Sequence, residues 1–196
     1  MLTFAAAVFF LLITPGPGVL STAGVGAAFG RGAGSRYILG LFVGSNLVAL
    51  AVVTGLAALV LSHPPVRAAL LWASAAYLVW LAARIAFAGS RISFIERPAP
   101  PGVRGGIMLQ AINPKAYAVN TTLFTGFAFW PGSAAAEIAV KLLIFNAVWV
   151  PIHFLWLAAG VSLRRLDLSP GAQLAINFVM AGSMLAVVGL AALAQR

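Results

Sequence analysis

Thr14-Pro15-Gly16-Pro17-Gly18 cuts through residues 1–30, an apolar stretch with no charged side chain. Asn113-Pro114-Lys115 cuts through a second apolar stretch, residues 105–131, whose one charge is Lys115. A bilayer core of about 30 Å takes roughly 20 helical residues, so each stretch is long enough to cross it. Proline has no N–H to donate, and it pushes the residue before it towards extended backbone. Each stretch therefore reads as a membrane helix interrupted near its middle. Pro15, Pro17 and Pro114 would free the carbonyls of Leu11, Ile13 and Gln110, and each half-helix that resumes presents unpaired N–H groups and a positive dipole end. Such groups are tolerated at membrane depth only where they face a cavity or other protein.

The charges punctuate the rest of the chain. Arg31, Arg36 and Arg67 bracket residues 37–66, and Arg67 and Arg84 bracket 68–83, where long arginine stems let the charged heads reach the interface. The spans are expected at about 2–27, 37–62 and 67–88, then at about 105–131, 137–161 and 170–193. The first half is residues 1–90 and the second is 105–196. Residues 91–104 form a linker with Pro98, Pro100, Pro101 and Gly102, which cannot continue a helix. With 62% hydrophobic and 8% charged residues, water is not the main solvent of this chain. The expectation is an all-α polytopic membrane protein of six transmembrane helices. A cleaved signal peptide would want a basic start and a small-residue cleavage site, and neither is seen in the first stretch.

Orientation follows from the basic residues, which short loops retain on the cytoplasmic side. The connectors after spans one, three and five hold Arg31, Arg36, Arg84, Arg91, Arg97, Arg104, Arg164 and Arg165; the opposite face holds Arg67, Lys141 and Arg196. The linker is thus expected in the cytoplasm and both termini outside. Three spans per half make the halves insert with opposite orientation, as two inverted three-helix repeats, and the first helix of each is broken by proline. Paired breaks in corresponding positions point to a midplane binding site in a secondary transporter. The alternative is that the prolines only kink packed helices.

An ionisable residue inside a span is a functional candidate by default. The Lys115 ammonium could hold a substrate carboxylate or take part in proton coupling; otherwise it is a structural cation held by freed carbonyls. Gly16 and Gly18 would offer bare backbone beside Pro15 and Pro17, and Asn113 beside Pro114. Asn46 follows Gly40 and Gly44, and either lines the cavity or joins two helices. Asn146, Trp149 and His153 share one helical face, and His153 reads as a proton relay or as hydrogen-bonded core. Asn120, Thr121, Thr122 and Asn177 are further polar candidates that spacing does not separate.

Other chemistries are excluded. The absence of cysteine removes disulfides, thiol redox chemistry and cysteine metal sites. No metal-ligand spacing, phosphate loop or Ser–His–Asp set is visible, so neither cofactor nor metal is expected and the chain does not read as an enzyme. The 12 Lys and Arg stand singly rather than in a patch, which argues against nucleic acid.

Thr14-Pro15-Gly16-Pro17, the run Gly40 to Asn46, Trp72-Ala73-Ser74-Ala75-Ala76-Tyr77-Leu78 and Asn113-Pro114-Lys115 together resemble the LysE/RhtB family of amino-acid exporters, essentially end to end. The resemblance implies efflux of amino acids or related small amphoteric solutes across the inner membrane, driven by the proton gradient. Many family members carry an acid near the position of Asn46, and an amide does not exchange a proton near neutral pH. Coupling would then fall to His153, Lys115 or the substrate's own amine. The alternatives are an uncoupled facilitator or channel, and a non-transporting scaffold or partner subunit. The small-residue faces Gly30/Gly34 and Gly40/Gly44 could serve assembly, including a homodimer.

Overall fold

Thr14, Gly16 and Asn113 each precede a proline, and each has extended backbone, with ψ of 127°, 177° and 107°. These residues set the helix ends that matter most. The computed structural model describes residues 1–14, 16–86, 99–130 and 132–165, together with Ser169 and residues 171, 172, 174–176, 178, 179, 182 and 186. Pro15, residues 91–98 of the linker, Asn177 and most of the expected sixth span lie outside the described residues.

The helices are α1 (Leu2–Ile13), α2 (Pro17–Val53), α3 (Leu56–Leu61), α4 (Pro64–Ala86), α5 (Gly102–Ile112), α6 (Pro114–Gly126) and α7 (Ala134–Arg165). The described residues between 171 and 186 are also helical, and no strand occurs among the described residues. Pro17 and Pro114 occupy the first helical position, where a missing N–H costs nothing. Among the described residues, three helices are long and apolar enough to cross a membrane: α2, Pro64–Ile85 of α4, and Ala134–Leu163 of α7. The second limb of α2 exposes Leu39, Val43, Leu47 and Leu50 on one side and buries Leu41, Val48 and Val52 on the other. An outer face that apolar suits lipid rather than water.

The 37 residues of α2 would run about 55 Å if straight. They do not. Gly30 adopts φ 81°, in the left-handed region that suits glycine, and the chain reverses there. The Tyr37 hydroxyl consequently donates to Ser21 Oγ at 3.1 Å, although 16 residues of continuous helix would separate the two by about 24 Å. The connector expected over residues 28–36 is thus a turn at one residue, between limbs 17–29 and 31–53. The expected second span is also interrupted. Thr54 and Gly55 (φ 77°) end α2 at Val53, before the short α3.

Glycines let the helices approach closely. A β-carbon on Gly40 would collide with the Val103 carbonyl, and one on Gly44 would lie 2.7 Å from Gln110 Cβ, so α5 lies directly on the second limb of α2. Gly160 meets the Ala23 carbonyl in the same way, which brings α7 onto the first limb. Gly34 is filled by Leu157. Gly34, Gly40 and Gly44 are therefore engaged within the chain. Helix α5 begins at Gly102, so residues 102–104 of the expected linker belong to it.

Candidate functional site

The two breaks meet. The Phe4 ring packs on Phe127 at 5.6 Å, while Lys115 Nζ donates to the Thr14 carbonyl at 2.6 Å. Helix α1 therefore runs antiparallel to α6, with its C-terminal end at the start of α6. A β-carbon on Gly16 would stand 2.7 Å from Lys115 Cδ, so the glycine leaves the space that the lysine stem fills. The carbonyl that receives the ammonium belongs to Thr14, one residue past Ile13. The Gln110 carbonyl instead takes the N–H of Asn113 at 3.3 Å.

Asn113 shapes the second break through both ends of its amide. Its Oδ1 accepts the Lys115 N–H at 3.1 Å, capping α6, and its Nδ2 donates to Gln110 Oε1 at 3.1 Å. The cap fixes the first turn of α6 and with it the point from which Lys115 leaves the helix.

A cavity of about 50 Å³ opens at this junction, several times the roughly 10–15 Å³ that one water requires. Leu11, Leu12 and Thr14 come from α1, Gly16 from the break, and Gly18 and Val19 from the first limb of α2. Ser45 comes from the second limb, Gln110 from α5, and Asn113 from the second break. Helix α6 supplies Lys115, Ala116, Val119 and Asn120, and α7 supplies Phe145, Trp149 and His153. The walls thus combine aliphatic and aromatic surface with a few convergent polar groups, as small-molecule sites do. No carboxylate lines the cavity among the described residues.

Helix α7 presents Trp149 and His153 one turn apart, their rings stacked with centroids 3.5 Å apart and planes at 14°. His153 Nδ1 lies 2.9 Å from the Trp149 carbonyl, which can only accept, so Nδ1 carries a proton. In the neutral ring Nε2 is then an acceptor. It faces Gly18, where a β-carbon would come within 3.6 Å of it.

Of the residues singled out in the sequence, Gly16, Gly18, Asn113, Lys115 and His153 come together around the cavity, with Pro17 and Pro114 starting the helices that flank it. Asn46 is placed elsewhere. Its Nδ2 donates to Asn146 Oδ1 at 3.1 Å, and Asn146 Nδ2 donates back to Asn46 Oδ1 at 2.9 Å. This reciprocal amide pair ties the second limb of α2 to α7. Gln110 and Ser45 line the cavity without having been singled out as side chains; the spacing of Gln110 three residues before Asn113 is the signal that could have found the first. Lys141, which the sequence assigns to the outer side of the membrane, is 2% exposed. It pairs with Glu137 at 2.8 Å and also donates to the carbonyls of Phe124 and Phe127. The four-residue separation from Glu137 was its signature.

The family model for the LysE type translocator matches residues 9–196, which includes both breaks and every residue that lines the cavity. The chain belongs to the LysE type translocators. It is accordingly a membrane transport protein and not an enzyme. Among relatives of this translocator, a leucine efflux protein of Klebsiella pneumoniae is 25% identical over 154 residues, 74% of this chain and 73% of its own length. A leucine efflux protein of an Enterobacter species is 23% identical over 161 residues, covering 80% of this chain and 75% of its own. No solved structure matches the translocator.

Proposed function

We propose that this translocator exports an amino acid or a closely related small amphoteric solute across the inner membrane, binding it between the two helix breaks. The observation that carries this reading is the Lys115–Thr14 contact at the cavity, where one ammonium and two resuming helices converge. A carboxylate arriving there would exchange the carbonyl of Thr14 for itself as the partner of Lys115. It would also lie near the N-terminal turns of α2 and α6, whose positive dipole ends favour anions. The hydrocarbon part of the solute would rest on Leu11, Leu12 and Phe145, and the relatives named for leucine efflux support an aliphatic solute.

Six spans in two inverted triplets, with the linker in the cytoplasm and both termini outside, accord with the antiparallel run of α1 and α6. Rocking of one triplet against the other would alternate access to the cavity. A pH gradient would act through His153, Lys115 or the solute's amine, the cavity being free of carboxylates among its described residues. That same lack favours a second reading, an uncoupled facilitator.

Proteoliposomes loaded with labelled leucine test these readings. Saturable efflux that a pH gradient accelerates supports the coupled exporter, and saturable efflux indifferent to the gradient supports the facilitator. If no amino acid leaves faster than from equally loaded liposomes without the protein, the export reading is lost.

A further inference from the structure

Asn120 is 1% exposed and lines the cavity from α6, yet its Oδ1 has no hydrogen-bond partner. The amide cannot be turned to cure this. Its Nδ2 donates to the Ala116 carbonyl at 2.8 Å, and exchanging the two ends would set oxygen against oxygen there. The orphaned atom is therefore an acceptor. An unmet acceptor in such a place carries a desolvation cost that a buried donor would relieve.

The other amides nearby are spent. Asn113 uses its oxygen to cap α6 and its nitrogen on Gln110, and Asn46 is closed in its reciprocal pair with Asn146. Lys115 and the resuming helices attract negative charge, so the positive end of a zwitterion needs an acceptor elsewhere in the cavity. His153 Nε2 on α7 is one, and on α6, the helix that carries Lys115, the unmet acceptor is Asn120. It stands five residues beyond Lys115, about 7.5 Å along the helix axis. Both residues line the one cavity.

We propose that Asn120 Oδ1 receives the ammonium group of the solute, and so makes the site select amino acids over carboxylates that lack the amine. The inference rests on the export reading and adds to it the group that reads the amine.

Binding to the purified translocator, measured by calorimetry with leucine and with its des-amino analogue 4-methylpentanoate, tests the proposal. The wild-type protein is expected to prefer leucine. Asn120→Leu should lose leucine affinity roughly tenfold to a hundredfold, the worth of one hydrogen bond to a charged group, with affinity for the analogue unchanged. Unchanged binding of 4-methylpentanoate by Asn120→Leu separates recognition from misfolding. An unchanged preference in Asn120→Leu, or an equal loss for both compounds, overturns the proposal alone. If the wild-type protein binds neither leucine nor any other amino acid of a panel tested in the same way, the export reading and this inference fall together.

Discussion

The ammonium of Lys115 and the carbonyl of Thr14 stand 2.6 Å apart across 101 positions of sequence, joining the break of one helix to the break of another. A lysine at the centre of a membrane helix costs about 2.5–3.5 kcal/mol on insertion scales. One carbonyl in a small cavity offsets part of that cost and leaves the ammonium able to change partners. Replacing Lys115 by Ala is expected to abolish leucine efflux from proteoliposomes while the amount of inserted protein, followed by immunoblot, stays the same. Wild-type flux in that variant would remove Lys115 from the mechanism.

Gly16→Ala should separate the lysine from the fold. Its new methyl would stand 2.7 Å from Lys115 Cδ, the movable end of a side chain rather than backbone. The stem can swing aside, so thermal stability should change by less than about 1 kcal/mol. Efflux should fall at least roughly tenfold, because the ammonium leaves its place. A large loss of stability with normal flux in the surviving protein would contradict this assignment.

At Gly40 the neighbour cannot move. A β-carbon there meets the Val103 carbonyl of α5, so Gly40→Ala must push two helices apart. The expected cost is about 1–3 kcal/mol, read as a lowered unfolding temperature in detergent. Gly132→Ala, which meets nothing within 4 Å, is the matched control and should leave that temperature unchanged.

Asn46 and Asn146 form a closed pair, which makes single and double substitutions differ. Asn46→Leu strands the amide of Asn146 and should destabilise the protein by about 1 kcal/mol. Adding Asn146→Leu removes the stranded amide and should recover part of that loss. A double variant as unstable as the sum of the singles would mean that the amides do not act as a unit.

Lys141 is a further position where substitution should cost stability. Its ammonium closes the carbonyls of Phe124 and Phe127 and pairs with Glu137, whose other oxygen takes the N–H groups of Phe129 and Trp130 at 2.8 and 2.6 Å. Lys141→Met leaves the two carbonyls and Glu137 without their shared donor and should lower the unfolding temperature in detergent. Amide hydrogen exchange at Phe129 and Trp130 should quicken at the same time; protection equal to wild type would count against the clamp.

The breaks were legible because proline acts locally. Thr14, Gly16 and Asn113 take extended backbone for reasons contained in two adjacent residues, and Lys115 announces itself as a lone charge among apolar neighbours. Arg31 and Arg36 announced a reversal over residues 28–36, but its confinement to Gly30 was hidden, because a glycine beside an apolar run reads equally as packing surface and as turn. Only the Tyr37–Ser21 contact distinguishes them. Asn46 and Asn120 show the same limit from another side. Both are amides on apolar helices, and spacing alone does not reveal that one is paired while the other keeps an unmet oxygen. Lys141 adds a related case: the sequence assigns it a side of the membrane, but its burial depends on where the chain after α6 returns.

The amide pair also bears on how the protein is made. Asn46 and Asn146 are 100 positions apart, so when Asn46 enters the bilayer its partner has not yet left the ribosome. The early helices must wait with that amide open, shielded by the insertion machinery or by borrowed neighbours, until the later ones arrive. Completion of the chain is therefore the event that latches its first half, and a translation product stopped before Asn146 would remain a substrate for membrane quality control.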